Sequence, residues 1–382
     1  MNGLIRLVSI SMHTSDSLVY SLDNLELTAG QVGTHKEIRV VSPFLNASVV
    51  GDYSYQNLPT GVMHILQKYL PSLLGSIKTD SNQMDNNFKF DFHLSDAEFF
   101  NKLFYVPLTM TMPASLKGFV NERSERLYVE GSFPDFIYDG TQYESISLTC
   151  DNPLEQFVCQ VRGTMLMKSG AKLNVSLNTE ATKDRIKTTL NWGNNTDITY
   201  GGQVAASTRF SRTEGENSYL QAEGEFLPTN IILNDTIWHI RSSHVSVDSG
   251  RVFIDNFLFE RPGQHLLVDG KITKEESDSC IIDLKNIDVQ YVLDILQFEA
   301  IEFGGMATGR VLLKNVLDKP DMRTRLDVQR FTVNDGLMGN ADIQGYWDVE
   351  LPGIRLDALM KEENLSSTHV TGFVSPKLAA LD

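Results

Sequence analysis

Glycine recurs in this chain at the centre of apolar strand patterns, and that placement limits what the chain can fold into. The patterns are Val49-Gly51-Tyr53, Leu116-Gly118-Val120, Val129-Gly131-Phe133, Val161-Gly163-Met165, Ala222-Gly224-Phe226, Val268-Gly270-Ile272, Ala307-Gly309-Val311, Ile343-Gly345-Trp347 and Val370-Gly372-Val374. Residues i−2, i and i+2 of a strand share one face, so each glycine interrupts an apolar surface. Glycine inside a strand weakens it and marks a bend, a bulge or the close approach of another group. The pattern points to a long sheet whose apolar face is relieved at intervals. What lies against that face is the functional question.

Strict alternation supports the same fold class. Phe88-Phe90-Phe92-Leu94, Ile146-Leu148-Cys150, Phe157-Cys159-Val161 and Leu173-Val175-Leu177 each repeat with period two, the mark of half-buried strands. Turn residues such as Asp139-Gly140, Asp248-Ser249-Gly250 and Pro262-Gly263 separate such runs. The glycines keep no fixed spacing, so no standard repeat architecture fits. Helix is scarce. Leu58, Val62, Ile65, Leu66, Tyr69, Leu70 and Leu73 make one apolar stripe on a helix over 58–74, with Pro59 in its first turn and Gly75 at its end. Ser95 and Glu98 form a capping-box signature before a second helix, and Asp288 is placed to cap a third that buries Val292, Ile295 and Leu296. The polar stretch 79–87 is the best internal boundary. It predicts a β segment over 1–80, ending in the amphipathic helix, and an elongated β-groove segment over 81–382.

Composition excludes several functions. The net charge is −16, from 33 basic and 49 acidic residues, which disfavours nucleic acid because phosphate binding needs clustered Lys and Arg. Residues 1–13 lack the layout of a signal peptide, and no stretch of about 20 apolar residues spans a bilayer. The sequence therefore reads as an internal fragment. Cys150, Cys159 and Cys280 are too few for a disulfide framework. Cys150 and Cys159 nevertheless flank the turn-like Asp151-Asn152-Pro153 and are placed to face each other across a hairpin. Metal-ligand spacing, HExxH, GxSxG, P-loop and Rossmann signatures are all missing. Asp80, Asn82 and Asp85 fall short of a calcium loop. Asp135, Asp139 and Glu144 are the only acids that suggest a glycosidase pair, and nothing in the sequence sets them together. The expectation is a protein that is not an enzyme and holds no cofactor or metal.

The apolar sheet face is left as the candidate site, with Val129, Phe133, Val268, Ile272, Val311, Ile343 and Trp347 as its large residues. Periodicity alone leaves two readings open: the filled core of a sandwich, or an open trough for acyl chains.

The segments Leu233–Ile272 and Gly304–Met360 resemble the strand series of TamB/AsmA-like proteins, particularly those of Bacteroidota. The resemblance lies in a glycine-centred strand (Gly309), a loop with Pro320, the turn Asn334 to Gly336, Leu337 to Gly339, and the strand beginning Trp347-Asp348. The stretch Tyr53 to Leu74, with Tyr69-Leu70-Pro71, is similar to the family's inserted helix. The resemblance implies an all-β, elongated, curved β-sheet groove with a few short helices, in the periplasm. It also implies a parent protein anchored to the inner membrane that meets an outer-membrane barrel through parts not recognisable here. The implied function is passive conduction of phospholipids, with acyl chains as ligands. The alternative is a chaperone-like module for outer-membrane protein translocation and assembly. A glycan-binding extracellular solenoid is a third reading.

Overall fold

A computed structural model describes residues 3–13, 19–55, 58–75, 85–167, 170–194, 200–213, 215, 218–233, 235–290, 303–315, 317–318, 320–334, 336–350, 353–362 and 366–374. The fold is all-β, as the alternation leads one to expect, with 25 strands and three short helices among these residues. The chain divides into two compact units, residues 1–212 with 232–236, and residues 213–231 with 237–382.

In the first unit β1 (Gly3–His13), β2 (Val19–Val32), β3 (His35–Val41) and β4 (Leu45–Asp52) lead into α1 (Leu58–Gln67) and α2 (Pro71–Leu74). Next come β5 (Asn87–Leu94), α3 (Glu98–Phe104), β6 (Leu108–Met110), β7 (Ala114–Asn121) and β8 (Arg126–Tyr138). The unit ends with β9 (Thr141–Asp151), β10 (Phe157–Leu166), β11 (Lys172–Thr182), β12 (Arg185–Gly193) and β13 (Tyr200–Arg212). Each strand pairs antiparallel with the next, except that short β6 joins β8 and leaves β5 to pair with β7. The boundary expected at residue 80 falls between β4 and β5. These pair from Leu45↔Leu94 to Asp52↔Asn87, so the sheet runs on across it.

The later strands are β14 (Leu220–Phe226), β15 (Thr229–Leu233), β16 (Thr236–Ile240), β17 (Ser243–Asp248), β18 (Arg251–Arg261) and β19 (Gln264–Ile272). β20 (Ser279–Asp288), β21 (Phe303–Lys314), β22 (Asp321–Val333), β23 (Gly336–Asp348), β24 (Gly353–Glu362) and β25 (Ser366–Val374) follow. In the second unit β14 pairs with β17, and from β17 to β25 each strand pairs with the next.

Bulges keep the apolar residues in phase along these strands. Ile254 and Phe257, Leu284 and Ile287, and Val328 and Phe331 are three positions apart where alternation asks for two, and the ladder register shifts at each pair. The extra residues Asn256, Asn286 and Arg330 take positive φ of 49°, 54° and 52°. In each, the N–H freed from the ladder donates to a side chain of a neighbouring strand. Asn256 donates to Asp269, Asn286 to Thr308 and Arg330 to Asn340, at 3.0, 2.9 and 3.1 Å. A bulge adds local bend and twist.

The interior glycines serve the same bending. A Cβ on Gly118 would lie 2.1 Å from the Tyr128 carbonyl oxygen, and one on Gly270 would lie 2.3 Å from that of Ser279. Gly270 also has φ +125, a conformation that L side chains rarely adopt. The sequence left open what fills the gap at each glycine. At Gly118 and Gly270 the neighbouring strand's backbone fills it, at Gly163 and Gly345 a neighbouring strand's side chain does, and at Gly372 nothing lies within 4 Å.

The helical stripe is broken in two. Pro71 lacks an N–H and disfavours helical geometry at the residue before it, and Leu70 takes φ −134, ψ 56. Gly75 closes α2 with φ 66 and donates its N–H to the Pro71 carbonyl. Tyr53, Ile65, Tyr69, Leu70, Phe88, Val120, Leu127 and Ala181 form a buried cluster under α1 and α2. Each large side chain so buried contributes about 1.5–3 kcal/mol. Ala97, not Ser95, stands at the N-cap of α3 without a side-chain cap, and Asp96 accepts the Glu98 N–H at 2.8 Å. Gln290 N–H donates to Asp288 at 3.0 Å, and the third helix expected after it lies outside the described residues. Val292, Ile295 and Leu296 lie outside the described residues, as do Asp80 and Asn82.

Cys150 and Cys159 stand directly opposite in the β9–β10 ladder and are disulfide-bonded, while Cys280 is free and buried. Burial pushes the Cys280 thiol up, and Asp269 adds to this. Alkylation of denatured, unreduced protein should therefore mark Cys280 alone, and reduction should expose all three cysteines. Replacing both Cys150 and Cys159 by Ser should lower stability by about 2–3 kcal/mol, the effect of a short closed loop. Two glycines separate bending from mere patterning. Gly118→Ala should destabilise by about 3 kcal/mol or more, because backbone must move. Gly372→Ala, where a Cβ meets nothing within 4 Å, should change the urea midpoint little.

Candidate functional site

Residues directly opposite in a ladder project from the same face, so register fixes which side chains line up across many strands. In the first unit Phe92, Leu116, Gly131, Leu148, Val161 and Leu177 are opposed in turn from β5 to β11. Leu190 and Val204 extend the row. Apart from Gly131 these residues are half-buried or, for Leu190 at 37%, exposed. Two rows away the row through Phe88, Val120 and Leu127 is sealed, with Val120 at 0%, because α1 and α2 pack on it.

The second unit repeats the contrast. Val268, Ile282, Val311, Thr324, Gly345 and Leu356 form one row from β19 to β24, and all but Gly345 are half-buried. Two rows away Ala307, Val328, Ala341 and Met360 are buried beneath Phe331. The bulge at Arg330 brings Phe331 onto this face, where it stacks with Phe303 at 5.8 Å.

The seven residues named from sequence are all half-buried. Val268 and Val311 share the row just described, linked through Ile282. Ile343 lies in the neighbouring row, opposite Leu326, and packs on the Val328 cluster. Trp347 is opposite Ile354 and Ile272 opposite Val252, on the same face. Val129 packs against the cluster under α1 and α2, so it belongs to a covered part of the face. Phe133 is opposite Ile146, and its ring meets that of Phe136 at 6.4 Å. The alternating runs held Leu148, Val161 and Leu177 in plain view, but only register shows that they form one row.

The reverse face is charged. Arg310 and His265 hold Asp283 at 2.5 and 2.8 Å. Arg325 pairs with Asp342 at 3.4 Å, His369 with Asp357 at 2.9 Å, and Arg355 with Asp348. The Arg310 guanidinium first, and then His265, keep the Asp283 carboxyl below its ordinary value. These pairs mark the solvated side and leave the other face to apolar contacts.

The acids are not arranged for general acid catalysis. Asp135 stands opposite Glu144, but hydrogen bonds from Gln142 and Thr111 hold its carboxyl below the ordinary value. A general acid needs the reverse shift. Asp139 sits at positive φ in the turn with Gly140. Glu144 binds Lys172 at 2.5 Å. Among the described residues no group of three or more His, Cys, Asp or Glu is placed to hold a metal, and no helix is long and apolar enough to cross a membrane.

A depressed carboxyl value adds stability above the unfolded value of about 3.9, and that contribution is lost as pH falls through the folded value. Asp283→Asn should therefore lower the urea midpoint at pH 7, and wild type and variant should converge as pH drops toward 2, near the bottom of the range in which carboxylates titrate. A gap that persists in acid would assign the effect to packing. Neither a protein-family model, a curated protein nor a solved structure matches this chain.

Proposed function

We propose that this chain is a wall segment of a TamB/AsmA-like periplasmic bridge, and that it passively conducts phospholipids between the inner and outer membranes. The carrying observation is that apolar rows run in register across successive strands of each unit and stay half-buried rather than sealed. In this reading acyl chains lie along the rows and headgroups stay in water. Each buried methylene contributes about 0.8 kcal/mol, so affinity needs no polar group on the face. The route is then indifferent to headgroup and calls for no catalytic residue. The parent protein would be anchored in the inner membrane and reach an outer-membrane barrel through other segments. The Cys150–Cys159 disulfide supports an oxidising compartment such as the periplasm.

One observation favours the chaperone-like reading. Leu4, Ile5, Leu7 and Val8 of β1 are exposed on both faces of the strand, and among the described residues β1 pairs with β2. An edge of this kind pairs readily with a strand from a client.

Two measurements separate these readings. Native mass spectrometry of protein purified from a bacterial envelope without detergent should find bound phospholipid. A photo-crosslinking residue in place of Val311 should label that lipid, and one in place of Arg325, on the charged face, should not. Lipid-free protein that fails to move phospholipid between vesicles would rule out conduction. Crosslinks from Leu4 or Val8 to unfolded barrel strands would favour the chaperone-like reading.

A further inference from the structure

The charged face changes character across β9 to β13. Arg162, Thr164, Asn174, Ser176 and Asn191 line a depression of about 560 Å³. Arg162, Ser176 and Asn191 are directly opposed across three strands, and Thr164 is opposed to Asn174. The next row on the same face runs Gln160, Asn178 and Thr189. Across β10 to β12 Arg162 is the only charged side chain in these rows, and on β9 Glu144 stands opposite Thr164 and pairs with Lys172. In this unit the same face carries Lys117 paired with Glu130 on β7 and β8. An acidic chain thus gives up charge over one patch and replaces it with amides and hydroxyls.

We infer that this patch binds the neighbouring hydroxyls of an uncharged sugar. Val175 and Trp192 also line the depression but alternate with the polar residues along β11 and β12, so the polar rows themselves present no apolar side chain to an acyl chain. A single arginine on a chain of net charge −16 is a poor site for phosphate or nucleic acid. The backbone groups here are engaged in ladders on both sides, so a peptide strand finds no edge to extend. Amides suit paired hydroxyls because each carries a donor and an acceptor side by side. Thr164 Oγ1 donates to Asn174 Oδ1 at 3.1 Å, which keeps Asn174 Nδ2 as a donor. Asn191 Nδ2 donates to Ser176 Oγ at 3.3 Å, which keeps Asn191 Oδ1 as an acceptor. Strands about 4.8 Å apart and alternate residues about 6.8 Å apart form a grid that suits successive sugar rings. The site is independent of the apolar rows on the opposite face. The sugar's source is a polysaccharide or the headgroup of a glycolipid.

Calorimetric titration of the whole chain with soluble neutral hexasaccharides, α-1,4- and β-1,4-linked glucose and β-1,4-linked N-acetylglucosamine, tests this. At least one should bind saturably, with little dependence on salt. Asn174→Ala with Asn191→Ala should weaken it about tenfold while leaving near-ultraviolet circular dichroism and lipid copurification unchanged. Binding to vesicles containing glucosyl-diacylglycerol, but to no free hexasaccharide, assigns the source to a glycolipid, and the reverse assigns it to a polysaccharide. Absence of binding to every hexasaccharide and to the vesicles overturns the site, as does binding that the double variant leaves intact. Loss of lipid copurification with sugar binding retained would instead count against the conduit reading alone.

Discussion

Everything in this molecule depends on antiparallel register. A strand has only a two-residue period, and one slip would move its apolar residues to the solvated face. A single hairpin tolerates that risk, but a row such as Phe92 to Leu177 multiplies it at every ladder. The chain limits the risk with chemistry on both faces. Apolar residues oppose apolar residues on one, and Asp283 meets Arg310 or Lys117 meets Glu130 on the other. A slipped strand would lose both sets together. Exposed ion pairs add little stability singly, so their value here lies in opposing the wrong register.

Bending is the second demand, and the chain meets it by two devices with different costs. Glycine lets backbone approach backbone, as at Gly118 against Tyr128, and gives up a side chain to do so. A bulge keeps every side chain and instead leaves an N–H without a ladder partner. That N–H is satisfied from a neighbouring strand by Asp269, Thr308 or Asn340. Most of these glycines therefore hold no space open for a ligand, because backbone or side chains of the next strand occupy the gap, as at Gly118, Gly163 and Gly270. Any room on the apolar face comes from the absence, among the described residues, of a second layer over its half-buried rows.

Much of this was legible in the sequence. Period two located the strands, and Tyr69-Leu70-Pro71 already contained the break in the helical stripe, since proline imposes it locally. The bulges were legible too. Ile254-Asp255-Asn256-Phe257, Leu284-Lys285-Asn286-Ile287 and Val328-Gln329-Arg330-Phe331 share one pattern of apolar, polar, polar, apolar. What could not be read was non-local. Val129 and Val268 look alike in sequence, each two residues before a glycine. Only the fold puts α1 and α2 over one and leaves the other in a half-buried row. The polar loop at residue 80 likewise does not reveal that β4 and β5 pair across it.

The covered and uncovered rows make an internal comparison. Under α1 and α2 the apolar face is sealed by leucine, isoleucine and tyrosine from the chain itself, and Val120 reaches 0% exposure. The cover is also held at its rim, where Ser72 donates to Asp184 and Lys68 pairs with Glu125. Around Val328 the seal comes instead from small residues, Ala307 and Ala341, that let Phe331 close down. Among the described residues the row through Val268, Ile282 and Val311 has neither device. Its side chains are as apolar as those beneath the helices, so the same driving force acts on them, roughly 25 cal/mol per Å² of surface still in contact with water. A flexible acyl chain meets that force without needing the rim of polar contacts that a helix requires, because it has no backbone groups to satisfy.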